Sequence, residues 1–257
     1  MPNENITKTF EDYLMKKRGF ISKMPGKNEP VVLIMSGGLD STVVAEYLMK
    51  EHGLRIFPLF IRRGQRAENQ EEKALDFFTK EFMKRNGKKL FNKPTKIETE
   101  IPPKGIKEKI PKEVMARIGH PMRDSTLQNF GIQYAATLES AYGLKVRTVF
   151  NAAHKGCGCS DFPHARLLAL RSQTINTCIH TGDWSWQITS PMLDDCLGKP
   201  MQKSGLVAMG SKYRLKLEKT WSCYEGKEKH CGICTACQLR QKSFNEAKVQ
   251  DKTEYLL

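Results

Sequence analysis

Residues 35–42 read MSGGLDST, set between the apolar run VVLIM and the helix-like stretch VVAEYLMKEH. Two adjacent glycines, Gly37 and Gly38, let a backbone come close to an anion. Ser36, Ser41 and Thr42 add hydroxyl donors. Asp40 adds a carboxylate suited to capping the helix or to helping hold a magnesium ion. A strand-to-helix turn exposes unpaired N–H groups at the positive end of the helix dipole, which favours a bound phosphate. The Gly-Lys-Ser/Thr ending of a Walker loop is missing, and the spacing is not a dinucleotide fingerprint. The expectation is a nucleotide-phosphate grip built from Met35, Ser36, Gly37, Gly38, Leu39, Asp40, Ser41 and Thr42.

A second constellation, SCYEGKEKHCGICTACQLRQKSF, carries Cys223, Cys231, Cys234 and Cys237 in the spacing C-x7-C-x2-C-x2-C. Four thiolates suit a closed tetrahedral site, which is structural because no position stays open for water. Zn2+ is the expected metal, with an iron–sulfur cluster as the alternative that soft thiolates also accept. His230 reads as a neighbour and not a ligand. Of the eight cysteines, the remaining four (Cys157, Cys159, Cys178 and Cys196) read as reduced thiols, with Cys157 and Cys159 in a loop or lining a pocket, or else binding metal or carrying redox chemistry.

These groups need elements to position them. The chain of 257 residues has room for one large α/β domain with an appendage. Residues 1–29 read as a helical extension and linker, 30–218 as a nucleotide-binding α/β domain, and 219–257 as a zinc-binding segment with a terminal helix. Strand 31–35, helix 41–52 and strand 55–61 form a βαβ unit, which implies a parallel sheet. Further helices are expected near 5–22, 67–87, 125–142, 162–179 and 238–248, and strands near 146–151 and 186–193. The stretch 93–122 suggests a short strand and a lid.

Lys and Arg number 42 against 28 Asp and Glu, a net charge of +14. Such a surface attracts anions, but the lysines are spread along the chain, and no nucleic-acid partner is expected. No apolar run is long enough to span a bilayer, and the N-terminal residues lack a signal-peptide apolar region, so the cytoplasm is the expected location.

The stretch SGGLDST resembles the SGGxDS signature of the PP-loop ATP pyrophosphatases. Together with TWSCYEG at 220–226, CGICTACQLRQKSF at 231–244, Gly64-Gln65-Arg66, Pro121-Met122-Arg123, Asn151 and SPMLD at 190–194, it is similar to the 7-cyano-7-deazaguanine synthase (QueC-like) branch over about residues 30–248. The resemblance implies an α/β, Rossmann-like (adenine nucleotide alpha hydrolase-like) parallel sheet flanked by helices, with a C-terminal four-cysteine zinc-binding segment. It implies ATP, Mg2+ and Zn2+, a small-molecule deazapurine substrate, ammonia and a homodimer. In that family a carboxylate attacks the α-phosphorus of ATP. The resulting adenylate of 7-carboxy-7-deazaguanine takes ammonia to give an amide, and a second activation gives the nitrile.

Carried onto this chain, the resemblance makes Asp40, Ser41 and Lys199 catalytic. Lys199 would reach a phosphate, or else be a solvated lysine. Gln65, Arg123, Asn151, Phe162 and Arg166 would bind substrate. Phe162 would stack on a purine or serve as a core aromatic, and Arg123 has Asp124 as an alternative partner. No nucleophilic side chain is expected, since positioning and electrostatics suffice for acyl adenylation.

The chain departs from the family in NAAHKGCGCSDFPHAR. His154 stands where an aspartate is expected, and Asp161-Phe162-Pro163-His164 where Gly-Tyr-Pro-Asp is expected; Ser160 and Arg166 still match. Asp124 replaces an asparagine, and the N-terminal helix is extra. These changes are expected where substrate is read, away from ATP. Three alternatives stay open. One is a divergent member of an antiviral defence system that joins the activated deazapurine to a protein amine. Another is a PP-loop tRNA-modifying enzyme such as a thiolase or lysidine synthetase. The third is a non-enzymatic zinc-ribbon binding module.

Overall fold

The computed structural model describes residues 2–100, 103–107, 109–111, 122–156, 166–198 and 200–256. Its centre is a five-stranded parallel sheet of β1 (Pro30–Ile34), β2 (Arg55–Arg62), β3 (Thr95–Glu98), β4 (Thr148–Phe150) and β5 (Gln187–Thr189), ordered β3-β2-β1-β4-β5. The helices are α1 (Pro2–Arg18), α2 (Leu39–His52), α3 (Glu68–Leu90), α4 (Lys104–Lys107), α5 (Arg123–Tyr142), α6 (Leu167–Thr181), α7 (Lys203–Lys212) and α8 (Thr235–Glu246). None of them is long and apolar enough to cross a membrane.

The central strands read as unbroken apolar runs because both faces are covered. Val31 and Leu33 of β1, with Ile56 and Phe60 of β2, enter a core shared with α2, α3, α7 and α8. Val32, with Phe57, Leu59 and Ile61, enters a second core under α5 and α6. Pro58 is tolerated inside β2 because β3 begins to pair only at Leu59.

From β1 the chain steps outward to β2 and β3, then returns to β4 on the other side of β1. That reversal opens a crevice beyond the C-terminal ends of β1 and β4, the place where open α/β sheets bind ligands. The segment after β1 is MSGGLDST.

The expected elements are present with shifted ends. The helix expected from residue 162 begins at Leu167, with 157–165 outside the described residues, and the expected lid falls largely outside them too. Helix α7 was not expected. The N-terminal helix is fastened to the sheet's far side. Glu11 accepts from Arg171 Nε at 3.0 Å, and Arg18 donates to the carbonyls of Trp184 (3.3 Å) and Trp186 (2.5 Å). Arg171 is fully buried and binds both oxygens of Asp194 at 2.6 and 2.8 Å.

Candidate active site

The turn after β1 is a closed small-residue loop. Met35 N donates to Leu59 O at 2.9 Å, keeping the strand in register up to the turn. Ser41 Oγ folds back to donate to Gly38 O (3.3 Å) and accepts from Ser36 N (3.4 Å), while Ser36 Oγ accepts from Gly38 N (3.4 Å). These long contacts shape the loop and are weaker than those a phosphate oxygen would make. Gly38 occupies the N-cap of α2 with no side-chain cap, so Asp40 does not cap the helix, one of the two roles expected of it.

Gly37 has φ of 73°, and a Cβ placed on it would lie 2.5 Å from Glu71 O and 2.6 Å from Leu75 N of α3. The loop therefore rests directly on the backbone of α3. Gly37→Ala combines left-handed backbone strain of about 1–3 kcal/mol with a clash that no rotamer relieves. The expected result is loss of nucleotide-analogue binding by calorimetry and a lowered melting temperature.

What Asp40 does instead is pair with a lysine. Its Oδ2 accepts from Lys203 Nζ at 2.8 Å, and Lys203 is well buried at the start of α7. Asp40 Oδ1 and Thr42 Oγ1 are buried with no hydrogen-bond partner among the described residues. An orphaned carboxylate oxygen fits a hard cation carried in by nucleotide phosphates. Asp40 is the residue that would hold magnesium, which would neutralise phosphate charge. Lys203 was missed by the sequence analysis. Lys199, to which the phosphate role was given, lies outside the described residues.

His154 is 4% exposed just beyond β4. Its Nδ1 lies 2.8 Å from Lys155 O, where it donates, and its Nε2 stands 3.8 Å from Asp40 Oδ2. The altered stretch was expected away from ATP. The structure brings its first residue to within 3.8 Å of the Asp40 carboxylate in the loop after β1, because β4 neighbours β1.

The remaining expected residues are placed unevenly. Gln65 spends its amide on the loop after β2: Oε1 accepts from Arg63 N (3.1 Å), and Nε2 donates to Glu71 Oε2 (2.7 Å). Arg123 donates to Asp124 Oδ1 at 2.8 Å, the alternative partner foreseen. Asn151 sits at the β4 exit, where its Oδ1 accepts from Ala153 N at 3.1 Å. Arg166 is the N-cap residue of α6. Phe162, Cys157 and Cys159 lie outside the described residues.

The four distal cysteines converge. Their sulfurs all lie within 4.8 Å of one another, with Cys231–Cys237 at 3.9 Å and Cys234–Cys223 at 4.0 Å. A tetrahedron with Zn–S bonds of about 2.3 Å has edges of about 3.8 Å, so the set fits one ion held by four thiolates. Backbone amides of Glu225 and Cys231 point at Cys223 Sγ (3.4 and 3.3 Å), and that of Cys234 at Cys231 Sγ (3.2 Å), the outer contacts that orient metal ligands. Burial pushes the Cys223 and Cys237 thiols up, so a bound cation is what would keep them ionised. His230 is not part of the cluster: its Nε2 accepts from Ser222 N at 3.1 Å. Burial, aided by Arg240, pushes its pKa down to about 4, which suits an acceptor.

This segment also roofs the glycine loop after β1. Trp221 N donates to Gly37 O at 3.1 Å, and a Cβ on Gly38 would lie 3.3 Å from Trp221 O. Gly226 has φ of 65° and packs so tightly on Arg66 that a Cβ would lie 2.1 Å from its carbonyl oxygen. Arg240, fully buried, ties the roof together by donating to Thr253 Oγ1 (3.0 Å), Thr220 Oγ1 (2.8 Å), Ser222 Oγ (3.0 Å) and Leu217 O (2.7 Å). Arg240→Met strands these acceptors and the nearby Asp251 carboxylate. A loss of about 3–5 kcal/mol is expected in denaturant unfolding.

A glycine loop at the β1/β4 crevice of a parallel sheet, roofed by a four-cysteine segment, defines a PP-loop-type α/β enzyme. Residues 30–248 match the family described as "Queuosine biosynthesis protein QueC", and the chain belongs to it. The chain is similar to the 7-cyano-7-deazaguanine synthases of Nautilia profundicola (26% identical, covering 87% of this chain and 97% of that one) and Methanothrix thermoacetophila (28%, 87% and 97%). That of Sulfurimonas denitrificans is 29% identical, covering 90% of this chain and 99% of its own.

Proposed function

We propose that this enzyme adenylates the carboxylate of 7-carboxy-7-deazaguanine, or a closely related deazapurine acid, and passes the acyl group to ammonia. One carboxylate oxygen attacks the α-phosphorus, the bond to the β-phosphate oxygen breaks, and pyrophosphate leaves. Ammonia then displaces AMP with loss of a proton to give the amide. A second activation of the amide oxygen gives the nitrile, a second AMP and a second pyrophosphate. The loop amides at the head of α2 face the charge that develops on pyrophosphate, and Lys203 brings a cation to the same place. The four-cysteine segment serves structure.

The observation that carries this reading is the Asp40–Lys203 pair with its orphaned Oδ1, set at the crevice of a QueC-family chain. The test is incubation with ATP and the acid, with and without ammonia, followed by mass spectrometry. Amide and nitrile that appear only with ammonia, with AMP and not ADP, support it; absence of AMP formation removes it.

His154 against Asp40 favours a second reading, in which the acceptor is another amine, including one on a protein. Under that reading the deazapurine mass appears on a protein in the same assay, and full conversion to the nitrile counts against it.

A further inference from the structure

The match to the family begins at residue 30, so α1 and the linker that follows it lie outside the part of the chain that the family shares. Both are stitched into that part. Lys23 N donates to Gln187 Oε1 at 3.0 Å, and Gln187 Nε2 donates back to Lys23 O at 2.6 Å. At the centre of the seam stands the buried guanidinium of Arg171, which is divided between the two parts. Its Nε donates to Glu11 and its Nη1 to Ser22 Oγ at 2.8 Å, both in the extension, while Nη1 and Nη2 hold the two oxygens of Asp194. A guanidinium out of water keeps its place only while its fork of donors is matched, and losing a carboxylate leaves its charge undercompensated.

Asp194 closes the SPMLD turn after β5. Besides Arg171, it accepts from Thr189 Oγ1 at 2.7 Å and Cys196 N at 3.1 Å, and its own amide donates to Ser190 O at 3.0 Å. The turn then grips the chain on both sides of His154. Ser190 Oγ donates to Ala153 O at 2.6 Å. On the other side, Lys155 N donates to Met201 O at 2.8 Å, and Met201 N donates to Met192 O at 3.1 Å. Met201 lies two residues before Lys203, the partner of Asp40. Hydrogen bonds thus run from Glu11 to both groups that face the Asp40 carboxylate.

We propose that Glu11 is a positioning residue for the crevice. With Ser22 it holds Arg171 on Asp194, Asp194 fixes the turn after β5, and the turn sets His154 and Lys203 against Asp40. The effect on turnover rests on the proposed function, whereas the placement of the turn does not.

The test compares full-length wild-type, Glu11→Ala and Glu11→Gln proteins at a temperature where circular dichroism shows each one folded. Amide hydrogen exchange, read by mass spectrometry without substrate, is expected to quicken in Glu11→Ala over residues 151–155, 190–194 and 201–203 and to match the wild type in β1 and β2. In steady-state AMP formation, kcat is expected to fall about tenfold while the KM for ATP changes by less than about twofold, the pattern of misplaced reacting groups. Glu11→Gln keeps an oxygen that accepts from Arg171 Nε, so it should show both changes at smaller size. Unchanged exchange in those segments, or exchange that quickens equally throughout the chain, overturns the linkage. Wild-type kcat in a Glu11→Ala protein of lowered melting temperature overturns the positioning role and leaves Glu11 a stabilising contact. Wild-type protein that forms no AMP removes the functional reading, and the exchange result then decides the linkage by itself.

Discussion

Asp40→Ala is expected to lower AMP formation by about a hundredfold to a thousandfold, the scale seen when one preorganised electrostatic contact is removed from a reaction site. Two roles are proposed for the carboxylate. Its Oδ2 fixes Lys203 at 2.8 Å, and its Oδ1 is the oxygen left for a cation. Alanine removes both and strands the ammonium of a lysine whose side chain is only 13% exposed. Some stability is lost as well, on the order of 1–3 kcal/mol for a buried group left unpaired. The double variant Asp40→Ala/Lys203→Met separates the two effects, because it removes the stranded charge. It should melt nearer the wild type than Asp40→Ala does, while turnover stays low. Unchanged AMP release in Asp40→Ala means that the loop does not hold the reacting nucleotide.

Cys234→Ser is the second large effect, and it reaches the loop through the roof. With one of four thiolates gone, the metal binds far more weakly. In small zinc domains that binding supplies about 10–16 kcal/mol of folding free energy. In this chain the loss falls on the segment from Trp221 to Cys237, whose Trp221 amide holds the Gly37 carbonyl at 3.1 Å. The expected outcome is three linked changes: less than one metal per chain by elemental analysis, a lowered melting temperature, and weaker binding of a nucleotide analogue. The Trp221 ring packs in a tilted contact on His230 with centroids 4.2 Å apart, so its fluorescence reports the same loosening. Metal content and melting both at wild-type values in Cys234→Ser contradict the four-sulfur site.

The parts of the site that were legible in the sequence are those written locally. MSGGLDST carries its own strand, turn and helix start, and the cysteine spacing brings its sulfurs together with little help from the rest of the chain. Contacts across the fold were not legible. Lys203 is 163 residues from Asp40, and its helix carries Gly205 and Gly210, which argue against helix in a single sequence. Gly210 is there for packing: a Cβ would lie 2.8 Å from Leu217 and 2.9 Å from Val43. Gly131 in α5 answers to the same cause, with Val149 at 2.7 Å. His154 was marked by its departure from the family, but only the pairing of β4 with β1 reveals that it meets Asp40. Gln65 was expected to bind substrate, whereas its side chain is claimed by the Arg63 amide in the loop after β2 and by the Glu71 carboxylate in the first turn of α3.

The central claim is that a deazapurine carboxylate attacks the α-phosphorus of ATP held by residues 35–42. Oxygen transfer tests it most directly. The acid is labelled with 18O at both carboxylate oxygens and turned over with ATP and ammonia, and the AMP is weighed by mass spectrometry. The account predicts one 18O in each AMP and pyrophosphate without label. Unlabelled AMP, or ADP formed in place of AMP, contradicts it.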